Sequence, residues 1–193
     1  MRHGAAFTAF FDANVLYPFQ LRDLVMRLAL TDLFRARWSK QVHDEWIGAL
    51  HRERPDIDLA RLEKTRQLMD AHVRDAVVEG FEFLIPVLDL PDEKDRHVLA
   101  AAIHGRADVI VTTNLKDFPK ETLLKHAIDV QHPDEFIAHL IDLEGPTVAY
   151  AAKDAIAALK NPPRSVDDYF AALERAGLQQ TVSLLKAYKK LLE

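Results

Sequence analysis

Hydrophobic and polar positions follow two different periods along the chain, and this difference separates short strands from longer helices. Short apolar runs without alternating charge are typical of buried parallel strands. Apolar residues three or four positions apart, with polar residues between them, indicate amphipathic helices. On this basis strands are predicted at Phe7–Phe11 and Val109–Val111, and Ile128–Val130 is a further short candidate strand.

Helices are predicted between these strands, and several helix ends carry a local signal. Pro18 suits a first helical turn, and Ser39 and Asp92 can accept hydrogen bonds from free backbone amides. Pro86 makes Phe83–Leu88 an edge strand or an extended connector, because proline cannot donate to a central sheet. The predicted helices run from Pro18 to about Ala29, from Ser39 through Leu50, from Ile57 to Val78, from Asp92 to Gly105 and from Pro133 to Leu143.

This alternation of strands and helices predicts an α/β fold with a mostly parallel central sheet and helices on both faces. Gly145-Pro146 interrupts the pattern, and two further helices are predicted after it, at Ala151–Leu159 and Leu184–Leu192. We therefore predict two units, a domain over residues 1–144 and a helical extension over residues 145–193.

Composition agrees with a globular protein, since 49% of the residues are hydrophobic, 28% are charged and only six are glycine. No apolar run approaches the ~20 residues that a membrane span needs, and the pattern of a secretory signal is missing at the N-terminus. A cytoplasmic location without membrane association is therefore predicted. The chain has no cysteine, which excludes disulfides and thiolate ligands.

Charge is unevenly distributed behind the formal net value of −5. Residues 22–66 hold ten Lys/Arg and eight Asp/Glu, residues 67–150 hold seven and sixteen, and residues 151–193 hold seven and five. An acidic region needs a cation if it is to approach phosphates, whereas flanking Arg and Lys can hold a polyanion directly.

Polar side chains collect where the predicted strands end. Asp12 directly follows the first strand, while Asn114 and Asp117 follow Val109–Val111. Ligands bind at the carboxyl ends of parallel strands, where the strand order reverses. Asp95 shares a helix face with positions that are predicted to be buried. Glu45 is the last candidate, and it lies at the inner edge of the apolar stripe formed by Val42 and Trp46.

Each candidate also has a purely structural explanation. Asp12, Asn114 and Asp117 can shape turns, and Asp95 can complement the dipole of its helix. Glu45 beside an apolar stripe can simply reach water. Three histidines, His43, His97 and His104, are interpreted as ordinary helix-surface or boundary residues, because their spacing does not form a zinc site.

Several carboxylates at one cleft would repel one another by several kcal/mol without a counter-charge. A divalent cation removes this repulsion. Ligation by oxygen atoms alone suits Mg²⁺ or Mn²⁺, which bind a few carboxylates, water and substrate phosphates. Such an ion can activate water for attack on a phosphodiester.

The chain resembles the PIN-domain family of metal-dependent ribonucleases, which includes the VapC toxins of bacterial toxin–antitoxin pairs. The resemblance covers about residues 7–140 and is carried by the order and spacing of four segments: "FFDANVLYP", "SKQVHDEW", "DRHVLAAAI" and "VIVTTNLKDFP". It implies a three-layer α/β/α domain that cuts RNA internally. The residues after Gly145 are similar to the helical extension of some longer toxins of this kind.

The resemblance also implies roles for individual residues. Asp12, Glu45 and Asp95 match the acidic triad that holds the metal, and Thr112 matches the hydroxyl residue that hydrogen-bonds the first aspartate. Many family members have an acid where this chain has Asn114. The fourth position is therefore weakened, filled by the Asn114 carbonyl, or taken by Asp117.

We predict an endoribonuclease that is selective for single strands and uses Mg²⁺ or Mn²⁺. Four basic residues are candidate RNA phosphate contacts: Arg22, Arg37, Lys40 and Lys116. A small antitoxin is expected as a partner by resemblance, and dimerisation is left open.

Two other functions are kept as alternatives. A haloacid-dehalogenase-type phosphatase also has an aspartate after its first strand, but it needs a second acid two residues later, where this chain has Asn14. A PIN-fold module that binds RNA or protein without turnover is suggested by Asn114.

Overall fold

The structure is a computed structural model that describes residues 7–160 and 162–193. Five strands form one parallel sheet in the order β3-β2-β1-β4-β5. The strands are β1 (Thr8–Phe11), β2 (Arg35–Ser39), β3 (Val77–Val78), β4 (Val109–Val111) and β5 (Asp129–Gln131).

Helices connect the strands and cover the sheet, which confirms the predicted α/β/α architecture with a C-terminal helical extension. Helix α2 packs against α7, and α5 packs against β2 and β4. The helices are α1 (Ala13–Leu16), α2 (Phe19–Ala29), α3 (Lys40–Glu53), α4 (Leu59–His72), α5 (Arg96–His104), α6 (Lys120–Leu124), α7 (Pro133–Ala158), α8 (Val166–Arg175), α9 (Gln179–Leu185) and α10 (Lys189–Leu192).

The three predicted strands are confirmed, and the structure contains two further strands, β2 and β3, that were not predicted. Strand β2 contains Arg35 and Arg37, whose charges interrupt the apolar run. Strand β3 lies inside the range predicted to be the end of a long helix, which instead stops at His72 because Val73 takes an extended conformation. The two-residue strand Val77–Val78 is too short to show a period.

Two other local predictions need correction. Phe83–Leu88 is neither strand nor extended connector, because Glu82–Val87 forms a 3₁₀ helix that contains Pro86. The extension also contains helix α8, which the sequence reading did not identify. Its N-terminus has a reciprocal capping box between Ser165 and Asp168.

The core lies on both sides of the central strands, and all four residues of β1 are buried. Four phenylalanines pack with ring centroids 5.1 to 6.1 Å apart, in tilted, edge and stacked pairs. They come from β1 and its preceding residue, the segment before β2, and α7: Phe7, Phe11, Phe34 and Phe136. This packing holds the amino end of the sheet against α7.

Helix α7 continues through the predicted boundary at residues 144 and 145, with a kink at Glu144, where the backbone is not helical. One hydrophobic core includes residues on both sides of that kink. Because the core is shared across this boundary, the division of the chain into a domain of residues 1–144 and an extension of residues 145–193 stays a prediction. None of the helices in the described ranges is long and apolar enough to cross a membrane.

Candidate metal centre at the carboxyl end of the sheet

The sheet topology places the ends of β1 and β4 side by side. The chain builds outward from β1 through β2 to β3, and it then returns to the other flank of β1 to form β4. This reversal creates a crevice at the carboxyl ends of the strands. Phe11 pairs with Val111, so Asp12 and Thr112 leave the sheet as neighbours.

Asp12 is a buried carboxylate with an organised set of hydrogen bonds. Its Oδ1 accepts from the Ala13 amide at 2.6 Å, which also caps α1. Its Oδ2 accepts from Thr112 Oγ1 at 2.7 Å and from Asn14 Nδ2 at 2.6 Å. The predicted hydroxyl partner, Thr112, is in contact with Asp12 and is fully buried.

Asn14 is a residue of the candidate site that was not predicted from the sequence. It was noted there only because a phosphatase would need an acid at this position. Besides donating to Asp12, its Nδ2 lies 3.0 Å from Thr112 Oγ1, and its Oδ1 accepts from the Thr113 amide at 2.9 Å. The side chain thereby joins the ends of β1 and β4. Its position two residues after Asp12 was a usable signal. An amide donor there gives no support to a phosphatase that needs a second acid.

Glu45 enters the site from α3, and its partner is His97 from α5. His97 Nε2 lies 2.8 Å from Glu45 Oε1, and the imidazole is only 3% exposed. His97 is therefore not the surface residue that was predicted. It anchors one carboxylate oxygen of Glu45, whose side chain remains 41% exposed at the cleft.

Asp95 lies at the junction between the 3₁₀ turn Glu93–Asp95 and α5, one residue before the helix. Asp92 accepts from the Lys94 amide at 2.9 Å and caps that turn, so it caps the helical segment only indirectly. Asn114 is held by two hydrogen bonds. Its backbone amide donates to Thr112 Oγ1 at 3.0 Å, and its side-chain amide donates to the Asp117 carboxylate.

Two aspartates of the candidate site have raised pKa values, to which neighbouring carboxylates contribute. Burial raises the pKa of Asp95 to about 6, with further contributions from the charges of Asp12, Asp92 and Asp117. Burial also raises the pKa of Asp12, against the lowering effect of its hydrogen bonds, and Glu45 adds to the increase. Each of these charge interactions disfavours the ionised form of the aspartate concerned.

The donors fit a hard cation held by few protein ligands. Within the described residues, no three His, Asp or Glu side chains form a ready-made metal cage. Mg²⁺ and Mn²⁺ retain water and need few carboxylates, and the candidate donors are all oxygen atoms. Oδ1 of Asp12 receives a single recorded hydrogen bond, so an acceptor site is left on it. Asp12, Glu45 and Asp95 remain the candidate ligands for such an ion, and in the described residues they are not preassembled around one point.

The four cations predicted to contact RNA take different positions. Arg22 is buried, donates to the carbonyls of Leu16 and Tyr17 and lies over the Trp46 ring, so its assignment as an RNA contact is wrong. Arg37 donates to the Asp75 carbonyl beside β3, and Lys40 forms an ion pair with Asp44 at 2.8 Å. Lys116 is exposed in the turn between Asn114 and Asp117.

His43 also differs from its prediction, because it is fully buried. Its Nε2 lies 3.0 Å from Asp70 Oδ1, and its Nδ1 accepts from Trp46 Nε1 at 2.9 Å. The same Asp70 oxygen accepts from Trp38 Nε1 at 2.8 Å. This network fixes α3 against β2 and α4. His104, by contrast, is exposed as predicted.

A cleft of about 630 Å³ opens beside the acids, between α1 and α3. Asn14 and Glu45 line it, together with Tyr17 and Arg52. The cleft therefore gives a ligand access to the groups around Asp12. We call it the central cleft.

Comparison with known proteins agrees with this fold and site. The profile of the PIN domain family matches residues 8–116, which is more than half of the chain. The chain belongs to the PIN domain family. A second profile, that of the VapC50 C-terminal domain, matches residues 133–187.

A relative of known sequence is the "Putative ribonuclease VapC50" of Mycobacterium tuberculosis (strain ATCC 25618 / H37Rv). The two are 58% identical over 50 residues, which make up 26% of this chain and 30% of the relative. The matched segment thus spans less than a third of that relative's length. The search of solved structures gave no significant match.

Proposed function

We propose that this protein is a toxin-type endoribonuclease that cuts single-stranded RNA with the help of Mg²⁺ or Mn²⁺. The observation that carries the proposal is the buried Asp12 carboxylate, which Thr112 and Asn14 hold at the point where the strand order reverses. The charge of Glu45 acts on Asp12, and the charges of Asp12 and Asp117 act on Asp95. The VapC50 relative is named as a ribonuclease, which supports RNA as the substrate.

Neighbouring side chains fix the orientation of the carboxylates that are proposed to bind the metal. Thr112 and Asn14 hold the Asp12 carboxylate, and His97 holds Glu45, so that both carboxylates have fixed orientations. Asn114 and Asp117 hold each other beside Asp12, and we assign them a supporting catalytic role. A bound Mg²⁺ or Mn²⁺ would neutralise the acids, activate water and stabilise charge on the phosphodiester.

The test is cleavage of a mixed RNA pool by the purified protein, with cut sites mapped by sequencing. We expect cleavage with Mg²⁺ or Mn²⁺, loss in excess chelator, and a loss of at least about 100-fold in Asp12→Asn and Asp95→Asn, because removal of a ligand costs more than removal of its supporting partner. Asp154→Asn, at an exposed position in α7, is the matched control. Equal cleavage by all four proteins would reject the assignment.

Metal binding has a readout that does not depend on turnover. An ion that binds only the folded protein stabilises it by about 2.7 kcal/mol at a concentration 100 times its Kd. We expect Mn²⁺ to raise the melting temperature of the wild type and of Asp154→Asn, but to raise that of Asp12→Asn much less. RNA binding without any cleavage, combined with no metal-dependent stabilisation, would instead favour the silent binding module.

The biological context is a further part of the proposal. A toxin-type ribonuclease would act in the cytoplasm, pair with a small antitoxin protein and permit a homodimer. We also keep residues 1–144 as the nuclease unit and residues 145–193 as its extension. A separate profile for a C-terminal domain supports two parts, but it begins earlier, at residue 133. Growth arrest on expression, absent with Asp12→Asn, would support toxin action.

A further inference from the structure

We infer that the C-terminal extension provides a second contact site for RNA, a basic cleft that binds the phosphate backbone of the strand being cut. The inference rests on the proposed function, because it places the scissile bond at the candidate metal centre. The basic cleft has a volume of about 560 Å³ and lies where α2 and α4 meet the extension.

Four cations from separate parts of the chain line the basic cleft. Arg61 comes from α4, Lys160 and Arg164 come from the connection between α7 and α8, and Arg175 comes from the end of α8. All four side chains are exposed. The chain carries a net charge of −5, so a concentration of positive charge at one cleft runs against its overall composition.

These cations form no close ion pair in the described part of the chain, although, after the hydrogen bonds from Ser165, the charges of Arg164 and Arg175 help to lower the pKa of Asp168. The ion pairs of residues 7–160 and 162–193 use other cations, and none of the four lies within 4.0 Å of a carboxylate oxygen there. The basic cleft has a single acidic residue, Asp168. Its Oδ2 is already engaged, since it accepts from the Ser165 amide at 3.0 Å and from the Ser165 hydroxyl at 2.8 Å.

A continuous surface connects the basic cleft with the acids. The central cleft, which Asn14 and Glu45 line, adjoins a second cleft at Tyr17. That second cleft adjoins the basic cleft at Phe19 and Arg61, which line both. A strand with one phosphate in the central cleft, beside Asn14 and Glu45, can therefore follow the surface past α1 and α2 to the extension.

The two aromatic residues at these junctions favour a single strand of nucleic acid over an acidic protein. Phe19 is 52% exposed, although most large apolar side chains of α2 are buried. Tyr17 is partly exposed at the previous junction. Cations that follow a backbone, alternating with rings on which bases stack, are typical of sites for single-stranded nucleic acid.

Salt dependence of binding tests this site directly. The Asp12→Asn protein, which we expect to cut RNA at least about 100-fold more slowly, is titrated with a fluorescently labelled single-stranded 20-nucleotide RNA at several salt concentrations. Each phosphate contact to a single strand contributes about −0.7 to the slope of log K against log salt. We expect Arg61→Ser combined with Arg164→Ser to make that slope shallower by about 1.4, and to weaken binding.

The matched control removes two equally exposed arginines elsewhere. Arg35→Ser combined with Arg74→Ser changes the net charge by the same amount, at the β2 and β3 side of the sheet. We expect the control pair to keep the slope of the parent protein. Replacement of Arg61 and Arg164 by lysine retains both charges and should retain most of the slope, which separates phosphate contact from a structural effect.

Three results would overturn the inference: an unchanged slope in the Arg61 and Arg164 pair, an equal change in the control pair, or binding of labelled polyglutamate as tight as that of RNA. Cleavage of the same RNA by the wild type is scored separately. RNA that binds through Arg61 and Arg164 but is never cut would overturn the proposed nuclease while supporting RNA contact at the basic cleft.

Discussion

At the scale of single residues, the candidate site is built from side chains that hold one another. Thr112 is the clearest case, because its hydroxyl donates to Asp12 and accepts from the Asn114 amide. It thereby connects the aspartate after β1 with the loop after β4. Residues that orient a metal ligand affect function although they do not contact the metal.

We expect Thr112→Val to lower metal affinity and RNA cleavage by about 10- to 100-fold, because Asp12 loses a donor and the Asn114 amide loses its acceptor. The measurements are initial cleavage rates and the Mn²⁺ dependence of the melting temperature. Thr113→Val is the control, since that side chain is exposed and only its backbone amide contacts Asn14. Thr112→Ser keeps the hydroxyl and should restore most of the activity.

Asp95 should make the metal-free protein less stable at high pH. Its pKa in the folded chain, about 6, is above the ordinary 3.8, so the folded state holds the proton more tightly than the unfolded state does. The ionised carboxylate therefore destabilises the fold fully above pH 6, and this cost is relieved as the pH falls from 6 towards 4. We expect Asp95→Asn to be more stable by about 1 kcal/mol at pH 8, a figure reduced for the partial exposure of the side chain.

Urea unfolding in chelator at pH 8 and pH 4 measures this difference. The gain in Asp95→Asn should largely disappear at pH 4, where the wild-type carboxylate is protonated in the folded state. Asp154→Asn at the surface of α7 should show neither the gain nor its pH dependence. A gain of the same size at both pH values would contradict the electrostatic explanation.

At the scale of helices and strands, a side chain from a distant element can accept hydrogen bonds from backbone amides at a helix end that has no capping side chain of its own. The N-terminus of α9 has no capping side chain of its own. Asp134, in the first turn of α7, accepts from the amides of Gln180 at 2.9 Å and Thr181 at 2.7 Å. The extension is therefore attached to the start of α7 by hydrogen bonds as well as by apolar packing.

Helix α7 depends on a close approach between Gly145 and the ring of Tyr188. A Cβ atom at position 145 would lie 2.8 Å from Tyr188 Cζ, well inside normal contact. We expect Gly145→Ala to destabilise the protein by about 1–3 kcal/mol, because the ring has to move out of a packed position. Chemical denaturation measures the change in the free energy of unfolding.

Gly48→Ala is the matched glycine control, with the opposite expected sign. Its new Cβ would lie 3.3 Å from Nη1 of Arg52, the movable end of a long side chain. Alanine is favoured over glycine in a helix interior such as that of α3, so we expect a gain of up to about 1 kcal/mol. Two losses of equal size would show that the effect at position 145 is not specific to Tyr188.

At the scale of the whole molecule, one hydrophobic core connects the sheet with the extension. Leu173, Val182 and Leu185 belong to the same buried cluster as the central strands, and α7 contributes to it on both sides of its kink. Separate unfolding of the two predicted units would expose the apolar face that they share. Such exposure costs roughly 25 cal/mol for each Å².

We therefore expect thermal unfolding in a single transition. Both tryptophans, Trp38 and Trp46, lie before residue 144, so their fluorescence reports on that part of the chain. Circular dichroism at 222 nm also reports on α8 and α9. Coincident curves from the two probes indicate one cooperative unit, whereas an earlier loss of dichroism would show that the extension unfolds by itself.

Local sequence was enough to determine the strands with uninterrupted apolar runs, many helix ends and the oxygen-only chemistry of the candidate site. Strands β1 and β4 could be predicted because burial on both faces requires continuous apolar residues. Ser39 could be predicted as a cap because its hydroxyl accepts from the Val42 amide, a contact within one helical turn. These features depend on neighbours in sequence.

Only the tertiary structure decided which of these residues meet. Asp12 and Thr112 are 100 positions apart, and they touch because β4 pairs with β1. Burial of Arg22 over Trp46 and the pairing of His97 with Glu45 also depend on how distant helices pack. The residues next to a charged side chain in the sequence do not identify its partner in the fold. The free energy of its charged form depends on solvent exposure and on other charges that folding brings near.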